Sequence, residues 1–187
     1  MPSMRKIAFG RNSCWNSVHS MELYILRHGI AKARELSGGK EDGERALTRE
    51  GKQKMRRIAE GMKALDYSFD LILTSPLRRA EQTAAIVARV LCLKKRVKIL
   101  PELEAGSRTK ELIEALRQAA SSFERVLLVG HEPDLSRLIV RLVTGGSDMA
   151  MTLKKGGLCK LTLTTLRQDQ CAVLEWSAPP SQLARIR

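Results

Sequence analysis

Arg27-His28-Gly29 and Gly130-His131 are the parts of this chain best equipped to do chemistry. The sequence holds three histidines, and two of them stand just beyond short, mostly apolar runs at residues 23–26 and 125–129, one after Arg27 and one after Gly130. An imidazole nitrogen is a capable nucleophile, and a guanidinium beside it can hold a phosphate. Alone, Arg-His-Gly is also what a solvated strand-to-loop turn looks like, and a lone His131 reads as a satisfied core or cap histidine. A third segment changes that balance: Ser75-Pro76-Leu77-Arg78-Arg79-Ala80-Glu81-Gln82-Thr83. Ser75 is a good helix N-cap and Pro76 a good first helical residue, which puts Arg79 about one turn into a helix. A helix start already attracts an anion through its free N–H groups, and an arginine there adds a two-pronged clamp. Of the adjacent Arg78 and Arg79, one is expected to be an ordinary solvent-facing residue.

These segments need a scaffold that brings them together. Residues 22–26, 70–73, 97–100 and 125–129 read as strands. Helical patterns alternate with them. Residues 48–65 form the first, with Thr48 as cap, Glu50 in the first turn, and Met55, Ile58, Ala59 and Met62 on one face. Others open at Ser75-Pro76, run over 109–120 with Leu112, Ile113 and Leu116 inward, and run over 134–143. Residues 33–45 are polar and Gly-rich, a mobile loop; 158–163 and 171–176 form a terminal strand pair. The alternation predicts an α/β domain with a mostly parallel central sheet and helices on both faces. Open sheets of this kind bind ligands beyond the carboxyl ends of their strands. His28, the 75–83 segment and His131 all fall at that edge.

One domain is expected over residues 21–187, preceded by a flexible extension at 1–20 that carries Arg5, Lys6 and Arg11 and no acid. No run approaches the ~20 apolar residues of a membrane span, and no apolar stretch marks a secretory signal, so a cytoplasmic location without membrane contact is expected. Cys14, Cys92, Cys159 and Cys171 form no CxxC pair and no zinc-like spacing, which points to free thiols in a reducing compartment. Net charge is +13, and +10 without the extension. That favours anionic partners. Aromatic content is 4%, with no basic run interleaved with aromatics, so nucleic acid is not the expected partner. The bland alternative is a solvated basic face. Nothing in the sequence points to an oligomeric state.

In order and wide spacing, Arg27-His28-Gly29, the 75–83 segment and Gly130-His131 resemble the histidine phosphatase superfamily, with its phosphoglycerate mutase-like fold. The resemblance runs from Met21 to about Pro179. The short chain, Arg45-Ala46-Leu47-Thr48, the Arg-Ala-Glu-Gln-Thr run and Leu100-Pro101-Glu102-Leu103 look most like SixA-type phosphohistidine phosphatases. The resemblance implies a three-layer fold. It implies that His28 attacks phosphorus and becomes transiently phosphorylated, while Arg27, Arg79 and His131 bind the three non-bridging oxygens. Arg45 would reach the phosphate from its loop, and Gly29 would belong to the same site. No metal or cofactor is expected, because phosphoryl transfer is mostly positioning and charge stabilisation, which a cationic pocket supplies. The chain departs from the wider family where many members place a general acid: Ala105 of Leu103-Glu104-Ala105 stands there, with Glu102 and Glu104 nearby. An alkoxide leaving group needs a proton, whereas an imidazole leaves more easily and can bring its own. The loop over 35–44 is too short for a deep lid. The implied activity is a metal-independent phosphatase of phosphohistidine on an acidic protein, of the kind found in phosphorelays. The alternatives are a phosphatase of small phosphomonoesters and a non-catalytic module binding phosphate or polyanions.

Overall fold

Strands β1 (Met21–Arg27), β2 (Leu71–Thr74), β3 (Val97–Ile99), β4 (Arg125–Gly130), β5 (Leu158–Leu163) and β6 (Ala172–Ala178) make one sheet in the order β3-β2-β4-β1-β5-β6. β1 to β4 are mutually parallel; β5 runs antiparallel to β1, and β6 antiparallel to β5. The helices are α1 (Arg49–Ala64), α2 (Arg78–Val90), α3 (Thr109–Ala120), α4 (Asp134–Thr144) and the short α5 (Pro180–Leu183). The computed structural model describes residues 20–33, 42–146 and 148–186. Almost all of the expected 1–20 extension, and most of the expected mobile loop with its lid argument, lie outside the described residues.

The central strands are apolar on both sides, and their side chains alternate between two cores. Leu23, Ile25, Leu71, Leu73, Val126 and Leu128 pack on α3 and α4 through Leu112, Ile113, Leu116, Leu138 and Leu142. Tyr24, Leu26, Ile72, Leu127 and Val129 pack on α1 and α2 through Met55, Ile58, Met62, Ala84 and Val87. The expected three-layer α/β architecture is therefore present. α3 has the bounds read from the sequence, and Thr48 caps α1 by accepting the Gly51 N–H at 2.9 Å.

One local expectation is corrected. α2 starts at Arg78 with Leu77 at the N-cap, so Ser75 is not the cap, Pro76 not the first helical residue, and Arg79 is the second helical residue rather than one turn in. The reason is that Ser75 is still tied to the sheet: its N–H donates to the Val129 carbonyl at 3.0 Å. Its hydroxyl accepts the Leu77 N–H at 3.2 Å and turns the chain before the helix begins. Smaller differences follow the ladder. β1 and β4 extend to Arg27 and Gly130, which pair with each other. β3 stops at Ile99, β6 runs from Ala172 to Ala178, and α5 after Pro179 was not foreseen.

Candidate active site

The sheet register builds the centre of the site. Arg27 pairs with Gly130, and the His28 N–H donates to the Gly130 carbonyl at 3.1 Å. His28 and His131 are thus the next residues of two adjacent parallel strands. By alternation they continue the face of Leu26 and Val129. Their ring centroids lie 5.0 Å apart at an interplanar angle of 53°. On the other side of β4, Ser75 follows β2 and its Oγ lies 2.8 Å from His131 Nε2. The three segments singled out by sequence meet at one sheet edge.

His28 Nδ1 lies 2.7 Å from the Gly29 carbonyl. A carbonyl only accepts, so Nδ1 carries the hydrogen and the lone pair is on Nε2. Burial pulls the His28 pKa down from 6.5 to about 4; the Gly29 bond opposes this, while the charges of Arg79, Arg27 and Lys155 reinforce it. Near neutral pH the imidazole is therefore uncharged, with Nε2 free to attack. Gly29 also donates its N–H to Thr83 Oγ1 at 3.1 Å, and Thr83 in turn donates to the Arg79 carbonyl at 2.7 Å. That chain of bonds fixes the site loop to the first turns of α2. The loop sits equally close to α1, because a Cβ on Gly51 would lie 2.1 Å from the Ile30 carbonyl oxygen.

Arg79 is 3% exposed and donates from Nη1 to the Asp42 carbonyl at 2.8 Å and from Nη2 to Asp42 Oδ2 at 3.0 Å. Asp42 Oδ1 lies 2.8 Å from Arg45 Nε, and Arg45 Nη1 donates to the Lys32 carbonyl at 3.1 Å. Burial pushes the Asp42 carboxyl up, but Arg79 and Arg45 outweigh it and hold its pKa below the usual carboxylate value. Arg27 Nη1 donates to the Leu153 carbonyl at 2.7 Å. Arg78 is the solvent-facing member of its pair and meets Glu44 at 3.3 Å. Burial, then the charges of His28 and Arg79, pull His131 down to about 3; the weaker effects of Asp42 and Arg27 oppose and assist in turn.

Among the described residues, the buried side-chain nitrogens with neither a hydrogen bond nor an ion pair are Nε of Arg27, Nε of Arg79 and Nδ1 of His131, while the buried Nε of Arg45 faces Asp42 Oδ1. A buried polar atom left unmatched is costly, so each needs an account. These three belong to residues that the family resemblance implies as phosphate ligands. A tetrahedral oxyanion could satisfy donors of this kind.

Several participants escaped the sequence reading. Asp42 stands three residues before Arg45, a spacing that permits the ion pair but does not announce it. Lys155, which acts on His28 through its charge, precedes Gly156, whose φ of +80° marks the turn into β5. Asp134 Oδ2 accepts the Gly106 N–H at 2.8 Å and so ties the 104–107 turn to α4. In that turn Glu104 and Ala105 are exposed, and Glu102 is partly buried. Among the described residues no three His, Cys, Asp or Glu side chains converge as a metal site, and no helix is long and apolar enough to cross a membrane.

Residues 23–107, which carry His28, Arg45 and Arg79, match the family description "Histidine phosphatase superfamily (branch 1)". With the fold and the pair of strand-end histidines, this places the chain in that superfamily: it is a histidine-type phosphatase with the phosphoglycerate mutase-like fold. It is also similar to SixA. It is 28% identical to the phosphohistidine phosphatase SixA of Escherichia coli K12, over 87% of this chain and 96% of that protein. A solved structure of the protein histidine phosphatase SixA complexed with tungstate superposes with a TM-score of 0.75 at 25% identity, covering 87% of this chain and 99% of that one. An uncharacterized protein of Picosynechococcus sp. PCC 7002 is 37% identical over 75% of this chain and 84% of its own length.

Proposed function

We propose that this phosphatase removes phosphate from phosphohistidine on an acidic protein, through a phosphorylated His28 and without a metal ion. The observation that carries the reading is a neutral His28 with its ring beside that of His131, together with unmatched buried nitrogens on Arg27, Arg79 and His131. In the first step Nε2 of His28 bonds to phosphorus as the P–N bond of the substrate breaks. A substrate imidazole protonated on its other ring nitrogen leaves as neutral imidazole and needs no acid from the protein. That suits a chain with Ala105 where relatives of the wider family place their acid. In the second step water attacks phosphorus. The Nε2–P electron pair returns to the ring, phosphate departs, and the proton of water passes to solvent. Nδ1–H stays on the Gly29 carbonyl throughout, so one tautomer serves both steps. The arginines bear on the charge of the phosphoryl oxygens in each transition state. The similarity to SixA, a phosphohistidine phosphatase by name, and the positive charge of the domain support the choice of substrate.

The test is a substrate panel: a phosphohistidine-bearing acidic protein, a phosphoserine peptide and p-nitrophenyl phosphate, each with and without chelator and across ionic strength. The expected ranking puts phosphohistidine first, insensitive to chelator. Its kcat/KM should fall as salt rises, because a basic surface steers an acidic partner. Rapid quench should place the label on His28, and His28→Ala should lose turnover by about three orders of magnitude or more. Faster phosphomonoester turnover at every salt would favour the small-molecule reading. Label on His131, or loss of activity with chelator, would overturn the mechanism.

A further inference from the structure

We infer that the cleft between α1 and α2 is a docking groove for an acidic helix of the phosphohistidine-bearing protein, an inference that rests on the function proposed above. The cleft has a volume of about 810 Å³ and is edged by Lys32, Arg49, Lys52, Arg56, Arg57 and Arg89, against one acid, Glu60. All six cations are exposed. None of them forms an ion pair with a carboxylate among the described residues, although such pairs occur elsewhere on the surface. Its floor is less polar, with Leu47, Ala85 and Ile86. On α1 the cations at 49, 52 and 56 fall at spacings of three and four, one stripe of a helix roughly 10 Å long at 1.5 Å per residue. On α2, Gln82, Ile86 and Arg89 repeat the spacing on the facing wall. Two helical walls with charge on the rims and apolar atoms below suit a third helix with acids on its flanks and an apolar stripe beneath.

The groove is joined to the catalytic centre. Lys32 at its near end supplies the carbonyl that holds Arg45 at 3.1 Å. Leu47 donates its N–H to Gln82 Oε1 at 2.8 Å, and the next residue, Thr83, holds Gly29. Ala31 and Leu47 form a backbone bridge across the same junction. A helix lying in the cleft would therefore begin beside the loop that carries His28. A nucleic acid would meet the same charge, but the floor offers aliphatic groups rather than aromatic rings on which bases stack.

The test uses the full chain and two variants, Arg56→Glu/Arg57→Glu/Arg89→Glu and the milder Arg56→Gln/Arg57→Gln/Arg89→Gln. None of these residues is assigned to the phosphate site. The probes are a Glu-rich amphipathic helical peptide bearing one phosphohistidine, the same peptide with Gln for Glu, and phosphoimidazole. Binding of the unphosphorylated acidic peptide is followed in parallel by fluorescence anisotropy. The wild type should prefer the acidic over the neutral peptide by about tenfold or more at low salt. The Gln variant should lose part of that preference and the Glu variant all of it, in kcat/KM and in anisotropy, while phosphoimidazole turnover stays unchanged. The groove is overturned if the preference is absent in the wild type, if it survives in the Glu variant, or if single-stranded RNA of equal charge displaces the peptide more tightly than the peptide binds. Phosphoimidazole turnover in that case would leave the phosphohistidine reading standing. If no phosphohistidine compound is turned over, the functional reading fails, and anisotropy still decides the groove.

Discussion

His131 Nε2 and Ser75 Oγ lie 2.8 Å apart in the interior, and this contact orients the His131 ring. The Ser75 oxygen also accepts the Leu77 N–H, which holds the hydroxyl in place against Nε2. The other ring nitrogen, Nδ1, has no hydrogen-bond partner among the described residues. Ser75→Ala should release the His131 ring and weaken inhibition by tungstate, a tetrahedral oxyanion, by about three- to tenfold, the loss of one modest hydrogen bond. Ser75→Thr should restore it. Equal inhibition constants in Ser75→Ala and the wild type would remove Ser75 from a positioning role.

Arg79 and Arg78 should differ sharply. Arg79 is buried and forked onto Asp42, whereas Arg78 meets Glu44 in solvent. Arg79→Lys keeps the charge but loses the planar pair of donors, and should lower kcat/KM by about 10- to 100-fold. Arg78→Ala should stay within about twofold, because an exposed ion pair contributes little. The reverse order would show that the wrong arginine has been assigned to the phosphate.

Asp42 sits between the two arginines that a phosphate would engage. Its backbone carbonyl also receives Arg79 Nη1, and Asp42→Asn would keep that bond while removing the competing charge. The variant should bind tungstate more tightly, by about three- to tenfold for a half-exposed charge. Weaker binding would mean that the carboxylate orients Arg79 rather than competing for it.

The pH profile follows from the depressed histidines. His28 stays neutral down to about 4 in the folded chain. The acid limb of kcat/KM should therefore fall near that value rather than near 6.5. Stability carries the matching sign. Below 6.5 the unfolded chain takes up protons on both histidines and the folded chain does not, so stability falls as pH drops from 6.5 towards about 4 for His28 and about 3 for His131, with no contribution above that window. Urea titrations of the wild type and of His28→Asn/His131→Asn should diverge only in that range, with the flatter dependence in the variant. Parallel curves would contradict the burial of neutral imidazoles.

The parts of this molecule that were legible in the sequence are those dictated by local pattern. The apolar face of α1 with its Thr48 cap, the bounds of α3, and the strand-end position of both histidines follow from periodicity of 3.6 or 2 and from capping chemistry. What escaped depends on neighbours across the sheet. Ser75 has the sequence of a cap, yet its N–H is claimed by Val129 of β4, and no local rule reports that competition. Asp42 and Lys155 bear on the site from segments distant in sequence, where only the closed fold shows their charge. The residues with strong chemistry at strand ends could be found; those that tune them could not.

The pairing of Arg27 with Gly130 joins strands separated by roughly 100 residues of chain, and this sets when the enzyme can first work. No fragment ending before β4 can place one imidazole beside the other, however well its helices form. Contacts so far apart in sequence close slowly. A slip of one residue between β1 and β4 would turn His28 to the opposite face of the sheet, onto the α3 and α4 layer. Recovery of activity during refolding should therefore trail recovery of helical circular dichroism, because turnover reports the one register in which the two strand ends coincide.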